Sequence, residues 1–168
     1  MNRTLILAAA LAALPLTAGA QDSAPRPATT GDLTVTDAYA RSANPRVGAA
    51  FMTIRNDGAR DCVLTAAAAP DVTDRAELHT HREENGVMSM MRIESITIPA
   101  GGSHALERGG DHVMMMDIKK PLAEGDEIAM TLDFGDCGQL HLTVPVDNSA
   151  GMPGAPGQGR RMRHGAGN

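Results

Sequence analysis

From Leu33 to Val146 the chain advances in short runs of strand-forming residues, interrupted so often by turn chemistry that no long helix fits. The runs are LTVTDAYA, AAFMTIRN, CVLTA, AELHTH, VMSMMRI, SITI, SHAL, HVMMMDI, EIAMTLDF and QLHLTVPV. Turn signals between them include Asn56-Asp57-Gly58, Pro99-Ala100-Gly101-Gly102, Gly109-Gly110, Glu124-Gly125-Asp126 and Gly135-Asp136. Many short strands at this spacing predict an all-β, antiparallel sandwich or barrel. After the N-terminus only Ala66 to Arg75 (AAAAPDVTDR) suits a short helical turn. The absence of a sequence repeat argues against a solenoid or propeller.

The ends have other compositions. Residues 1–20 (MNRTLILAAALAALPLTAGA) combine Arg3, an apolar run from about Leu5 to Leu16 and a small-residue Ala18-Gly19-Ala20 site, the pattern of an export signal. No later run is long and apolar enough to span a bilayer, so the expectation is an exported protein without a membrane span once the signal is removed. Residues 21–32 read as a flexible leader, 33–148 as the folded domain, and 149–168 as a disordered Gly/Pro/Arg tail unable to build a core. Within that tail Met152, Met162 and His164 are a sparse set of soft donors, and composition favours an incidental role for them. The net charge of −5, with no basic stripe bearing aromatics, excludes nucleic acid as a partner.

Two cysteines are present, Cys62 and Cys137. Outside the cytoplasm two such thiols most often pair. Closing a loop of that length stabilises a fold by about 4 kcal/mol in the chain-entropy model. The spacing rules out a redox Cys-x-x-Cys pair.

Chemistry gathers where histidine and methionine alternate. Side chains on a strand alternate faces, so in HVMMMDI His112, Met114 and Met116 share one face while Val113, Met115 and Ile118 belong mostly to the other. In AELHTH, Leu78 opposes His79 and His81. In GVMSMMRI, Val87 and Met91 oppose Met88 and Met90. Taken singly each has an ordinary explanation: methionine fills gaps in cores, and a lone strand histidine is usually solvated. His104 and His141 are read that way. Three segments that each set soft or imidazole donors opposite a core residue favour a cluster, with His81, Met88 and Met116 as reserve donors.

The spacing His79, ten residues, Met90, twenty-one residues, His112, one residue, Met114 resembles the H-x10-M-x21-H-x-M pattern of the periplasmic copper chaperone family PCu(A)C. The resemblance covers roughly Leu33 to Val146 and includes Asp37-Ala-Tyr-Ala-Arg41, Thr53-Ile-Arg-Asn56, Glu77-Leu-His79, Ile98-Pro-Ala-Gly-Gly102, Pro121-Leu122 with Gly125-Asp126, and Thr131-Leu132 with Phe134. Tyr39, Arg108 and Asp111 depart from it without removing a donor atom. The resemblance implies a Greek-key, cupredoxin-like sandwich and one Cu(I) held by His79, Met90, His112 and Met114 at a surface face or end. It also implies a periplasmic location and a copper-accepting partner: the CuA centre of cytochrome c oxidase, alongside another copper-handling or thiol-disulfide protein. A monomer is expected. Thioether and neutral imidazole suit Cu(I) over hard cations. Unlike thiols, thioethers cannot be lost to disulfides in an oxidising compartment.

Alternatives are copper sequestration and, less well supported, electron transfer by a cupredoxin. A blue-copper site needs a cysteine thiolate, and both cysteines lie outside the His/Met cluster. No nucleophile elbow, HExxH or recognisable carboxylate pair supports an enzyme; Asp111 and Asp117 read as solvated turn residues.

Overall fold

The computed structural model describes residues 27–84 and 86–150. Its strands are β1 (Ala28–Thr30), β2 (Leu33–Asn44), β3 (Val47–Asn56), β4 (Cys62–Leu64), β5 (Ala66–Ala68), β6 (Arg75–Glu84), β7 (Val87–Arg92), β8 (Ile96–Ile98), β9 (Ser103–Leu106), β10 (His112–Met116), β11 (Glu127–Asp133) and β12 (Gln139–Pro145). A single 3-10 turn, Gly135–Cys137, is the one helical element among the described residues.

The larger sheet runs β1-β2-β3-β10-β6-β7, with β9 also paired to β3, and all its pairings are antiparallel. β10 is inserted between two hairpins, β2-β3 and β6-β7, and this crossing brings sequence-distant donors side by side. The second layer is β12-β11-β5, with the β4-β8 pair alongside it. Across β11 and β12 the inward residues are register partners: Ile128 with Val144, Met130 with Leu142 and Leu132 with Leu140. They pack into one core with Leu33, Val35, Ile54, Leu78, Val113 and Met115. Each such side chain, fully buried, contributes about 1.5–3 kcal/mol. The architecture is the all-β, antiparallel sandwich that the turn spacing predicts, and the larger ladder is open, with β1 and β7 at its ends.

One irregularity shapes the outer face. Leu33 and Val35 point inward, and so do Ala38 and Ala40, although the two pairs have opposite parity. The switch is a bulge between Thr36 and Tyr39, where Asp37 takes a φ of 54°, a left-handed conformation that a short polar side chain tolerates. Tyr39 and Arg41 are thereby turned outward beside β3. Gly48 on β3 meets a different demand: a Cβ there would lie 2.8 Å from the Leu122 side chain and 3.3 Å from that of Met115, so glycine lets core and strand approach.

Cys62 and Cys137 are bridged, joining β4 to the 3-10 turn with Cα atoms 5.9 Å apart.

Several expectations are corrected. Ala66 to Arg75 forms no helix: Ala66–Ala68 is β5, and a single isolated turn follows in which Val72 and Thr73 N–H both donate to the Ala69 carbonyl, the second of these a helical-type bond that is not continued. Pro70 lacks the N–H a continuing helix needs, and burial of Ala67 and Ala69 outweighs alanine's helix preference. Ala28–Thr30, inside the stretch read as leader, pairs with β2 as β1. Met91, read as core-facing, is 40% exposed, because β7 ends the ladder with β6 as its one neighbouring strand. The signal segment and all of the tail beyond Ala150 lie outside the described residues.

Candidate metal centre

β10 carries the centre of the outer face. His112 stands directly opposite His79 on β6, and Met114 stands opposite Glu77 on β6 and Ala49 on β3. On the next pair His81 faces Met90. Because register partners share a face, His79, His81, Met90, His112 and Met114 all lie on the side of the sheet away from Val113, Met115 and Leu78. Ring centroids are 6.0 Å apart for His79 and His112 and 5.2 Å for His81 and His112. Phe51 stacks obliquely at 6.0 Å from His112, and Tyr39 at 5.1 Å from Phe51, which walls the histidine off from water on the β3 side. His112 is 2% exposed, whereas Met90 is 51% exposed.

Hydrogen bonds decide which ring nitrogens are free. His112 Nδ1 lies 3.1 Å and His81 Nδ1 3.4 Å from the same Gly110 carbonyl oxygen. A carbonyl only accepts, so each neutral ring protonates Nδ1 and keeps its lone pair on Nε2. His79 is arranged the other way: its Nε2 donates to the Glu77 carboxylate at 3.1 Å, which leaves the lone pair on Nδ1. That Nδ1 is buried without a hydrogen-bond partner, an orphan among the described side chains. Burial lowers the His112 pKa from its usual value, aided by the neighbouring His81 and His79 and opposed by the Gly110 hydrogen bond. The hydrogen bond from His79, with Arg92 and Arg75 nearby, lowers the Glu77 pKa against the opposite effect of burial. His112 is thus kept neutral and Glu77 ionised, the states in which one can donate a lone pair and the other orient a ring.

His81, Met90, His112 and Met114 line one open groove of about 720 Å³ together with Phe51, Ala49, Arg41 and Arg108. Three of the four residues picked from the spacing are therefore in the groove wall. The fourth, His79, stands next to His112 and does not line the groove. Met116 lies further along β10, opposite Arg75 and Val47 and outside the lining. The side chains of Met88 and Val87 lie outside what the structure describes. No three His, Cys, Asp or Glu side chains converge as a metal-binding group among the described residues, so a metal held here must draw on thioether sulfur. Two lone-pair imidazoles, two thioethers and a buried unpartnered nitrogen fit a soft ion.

Sequence reasoning missed the parts that tune the donors. Gly110 matters through its carbonyl and Phe51 through its packing, and neither role carries a residue-type signal. The remaining histidines among the described residues are satisfied elsewhere: His104 by Asp111 at 2.9 Å and His141 by Thr131 at 2.8 Å. Asp117, read as a solvated turn residue, pairs with Arg75 at 2.8 Å and Arg46 at 3.4 Å.

Fold and face together define an antiparallel β-sandwich domain with imidazole and thioether donors on the outer side of its larger sheet. Residues 33–146 match the family described as "LpqE-like: Putative lipoprotein LpqE-like", and the chain belongs to that family. It is 32% identical over 118 residues to the "Putative lipoprotein Lxx21020" of Leifsonia xyli subsp. xyli (strain CTCB07), with 70% of each chain covered. Among solved structures it is similar to CuI-DR1885 from Deinococcus radiodurans, with 33% identity, a TM-score of 0.55, and 69% of this chain and 80% of that one covered. The copper-bound PCuAC domain from PmoF2 shares the fold at 20% identity and a TM-score of 0.61, covering 73% of this chain and 97% of that domain. No helix among the described residues is long and apolar enough to cross a membrane.

Proposed function

We propose that this chain is a periplasmic Cu(I) carrier that binds one ion through His79, Met90, His112 and Met114 and hands it to an acceptor protein. The reading places the CuA centre of cytochrome c oxidase as acceptor, with a second copper-handling or thiol-disulfide protein as an additional partner. The observation that carries it is the pairing of a buried, neutral His112 with a half-exposed Met90 in one open groove. A storage or electron-transfer site gains from enclosing its metal. A carrier needs one ligand that an incoming side chain can replace, and an exposed thioether is such a ligand. The copper named with DR1885 and PmoF2 supports the same choice of cargo. Binding and transfer ask for no bond-making beyond ligand exchange, so no catalytic residue is assigned.

Anaerobic Cu(I) titration against a chromophoric chelator tests this. The unaltered protein should take up one equivalent, and Met90→Ile/Met114→Ile should lose at least about a hundredfold in affinity, or 2.7 kcal/mol. Equal affinity in the double variant sinks the assignment. Transfer to an apo CuA domain, followed by its absorption spectrum, checks the acceptor separately.

A further inference from the structure

His81 has every attribute of a donor in the groove. It faces Met90 across the β6-β7 register, and its ring lies closer to His112 than that of His79 does, 5.2 Å against 6.0 Å. Its Nδ1 is directed at the carbonyl that also orients His112, so the two rings present Nε2 lone pairs under one control. A carbonyl oxygen has two lone pairs and can hold both. His81 lines the groove and His79 does not. His79, in contrast, is anchored by Glu77 and offers only its buried Nδ1, with a side chain 12% exposed.

We propose that His81 is a fifth copper ligand, and that the ion occupies two adjoining donor sets sharing Met90, His112 and Met114: an outer one completed by His81 at the groove wall and an inner one completed by His79. This rests on the Cu(I)-carrier reading and adds to it a route by which the ion enters and leaves. Copper passes between the sets by exchange of one neutral nitrogen for another. The bond to His79 Nδ1 breaks as the bond to His81 Nε2 forms, with no electron or proton transferred. The ion is two-nitrogen, two-sulfur ligated at both ends, so neither end strands it with an empty position. A carrier gains from this arrangement because the outer set is open to a partner while the inner one is shielded.

The test compares His79→Ala, His81→Ala and the double variant of the full chain by Cu(I) affinity and by X-ray absorption counting of nitrogen and sulfur ligands. Each single variant should keep two nitrogen and two sulfur ligands and lose less than about tenfold in affinity, whereas the double should lose at least about a hundredfold and one nitrogen. His79→Ala as damaging as the double, with His81→Ala like the unaltered protein, overturns the proposal. The mirror result also overturns it, leaving His81 alone beside His112. A measurement on the unmutated protein guards against misfolded variants: with 15N-labelled histidine, Cu(I) should shift both His79 Nδ1 and His81 Nε2, and an unmoved His81 Nε2 contradicts the exchange. Failure here with Met90→Ile/Met114→Ile still abolishing binding leaves the carrier reading intact, while retention of binding in that double variant removes both.

Discussion

Met114 and Met115 are neighbours on β10, yet Met115 is completely buried opposite Gly48 and Ala76, while Met114 lies half-buried opposite Ala49 and Glu77 in the groove wall. The inner face treats methionine as volume, a flexible chain that fills space under Gly48. The outer face leaves the same side chain half-buried in the groove wall that His81 and His112 also line. Residue type alone does not separate the roles; strand parity does, and one step of register would exchange them. The two faces should therefore separate in experiment, stability following one and copper the other.

The largest effect belongs to the bridge. Cys62→Ser/Cys137→Ser opens a loop of 75 residues and should lower unfolding free energy by about 4 kcal/mol in urea titrations. The bridge ties β4 to the 3-10 turn and touches none of the donors, so Cu(I) affinity at a temperature where the variant stays folded should hold within about threefold. A larger drop would mean that the faces are coupled through the whole fold.

The sharpest comparison uses the two methionines. Met115→Ala empties a core position and should cost about 2–5 kcal/mol of stability with Cu(I) affinity nearly unchanged. Met114→Ala should do the reverse, with stability lowered by less than about 1 kcal/mol and affinity lowered at least about tenfold. If both variants lose stability and copper alike, the division by parity is wrong.

Glu77→Gln comes next. It keeps an oxygen for His79 Nε2–H to reach but removes the charge, and an altered outer partner of a metal-binding histidine typically costs 10–100-fold in affinity. Less than about tenfold is expected, no more than for His79→Ala, since His81 offers the ion a second imidazole that Glu77 does not orient. Calorimetry with Cu(I) under nitrogen reads this, and a loss beyond a hundredfold would make His79 the dominant ligand.

Much of this division was legible in the chain. The runs from LTVTDAYA to QLHLTVPV correspond to strands because turn residues punctuate them, and His112, Met114 and Met115 sort by simple alternation. What alternation cannot give is the neighbour across the ladder. His79 and His112 meet because β10 is threaded between β3 and β6, a long-range pairing that no local pattern encodes. The bulge at Asp37 flips the parity of β2 midway, so Tyr39 and Arg41 face the groove side although plain alternation groups them with Val35. Met91 fails for the complementary reason: alternation marks a face, and whether anything covers that face depends on the strand's place in the sheet.

The smallest effect is expected where β10 ends. Asp117 follows Met116 at a φ of 50° and pairs with Arg75 and Arg46, all of them substantially exposed. Exposed pairs contribute little, since water screens them and ordering long side chains costs entropy. Asn tolerates the left-handed conformation as Asp does, so Asp117→Asn isolates the charge and should change stability by less than about 0.5 kcal/mol. Asp117→Ala loses the charge and also forces a Cβ-bearing residue without a local hydrogen bond into that conformation, which costs roughly 1–2 kcal/mol. Neither should move Cu(I) affinity, because Asp117 belongs to neither the core nor the groove wall. Thermal unfolding of the pair with matched copper titrations reads all of this, and a copper effect in Asp117→Asn would extend the donor face past the end of the strand.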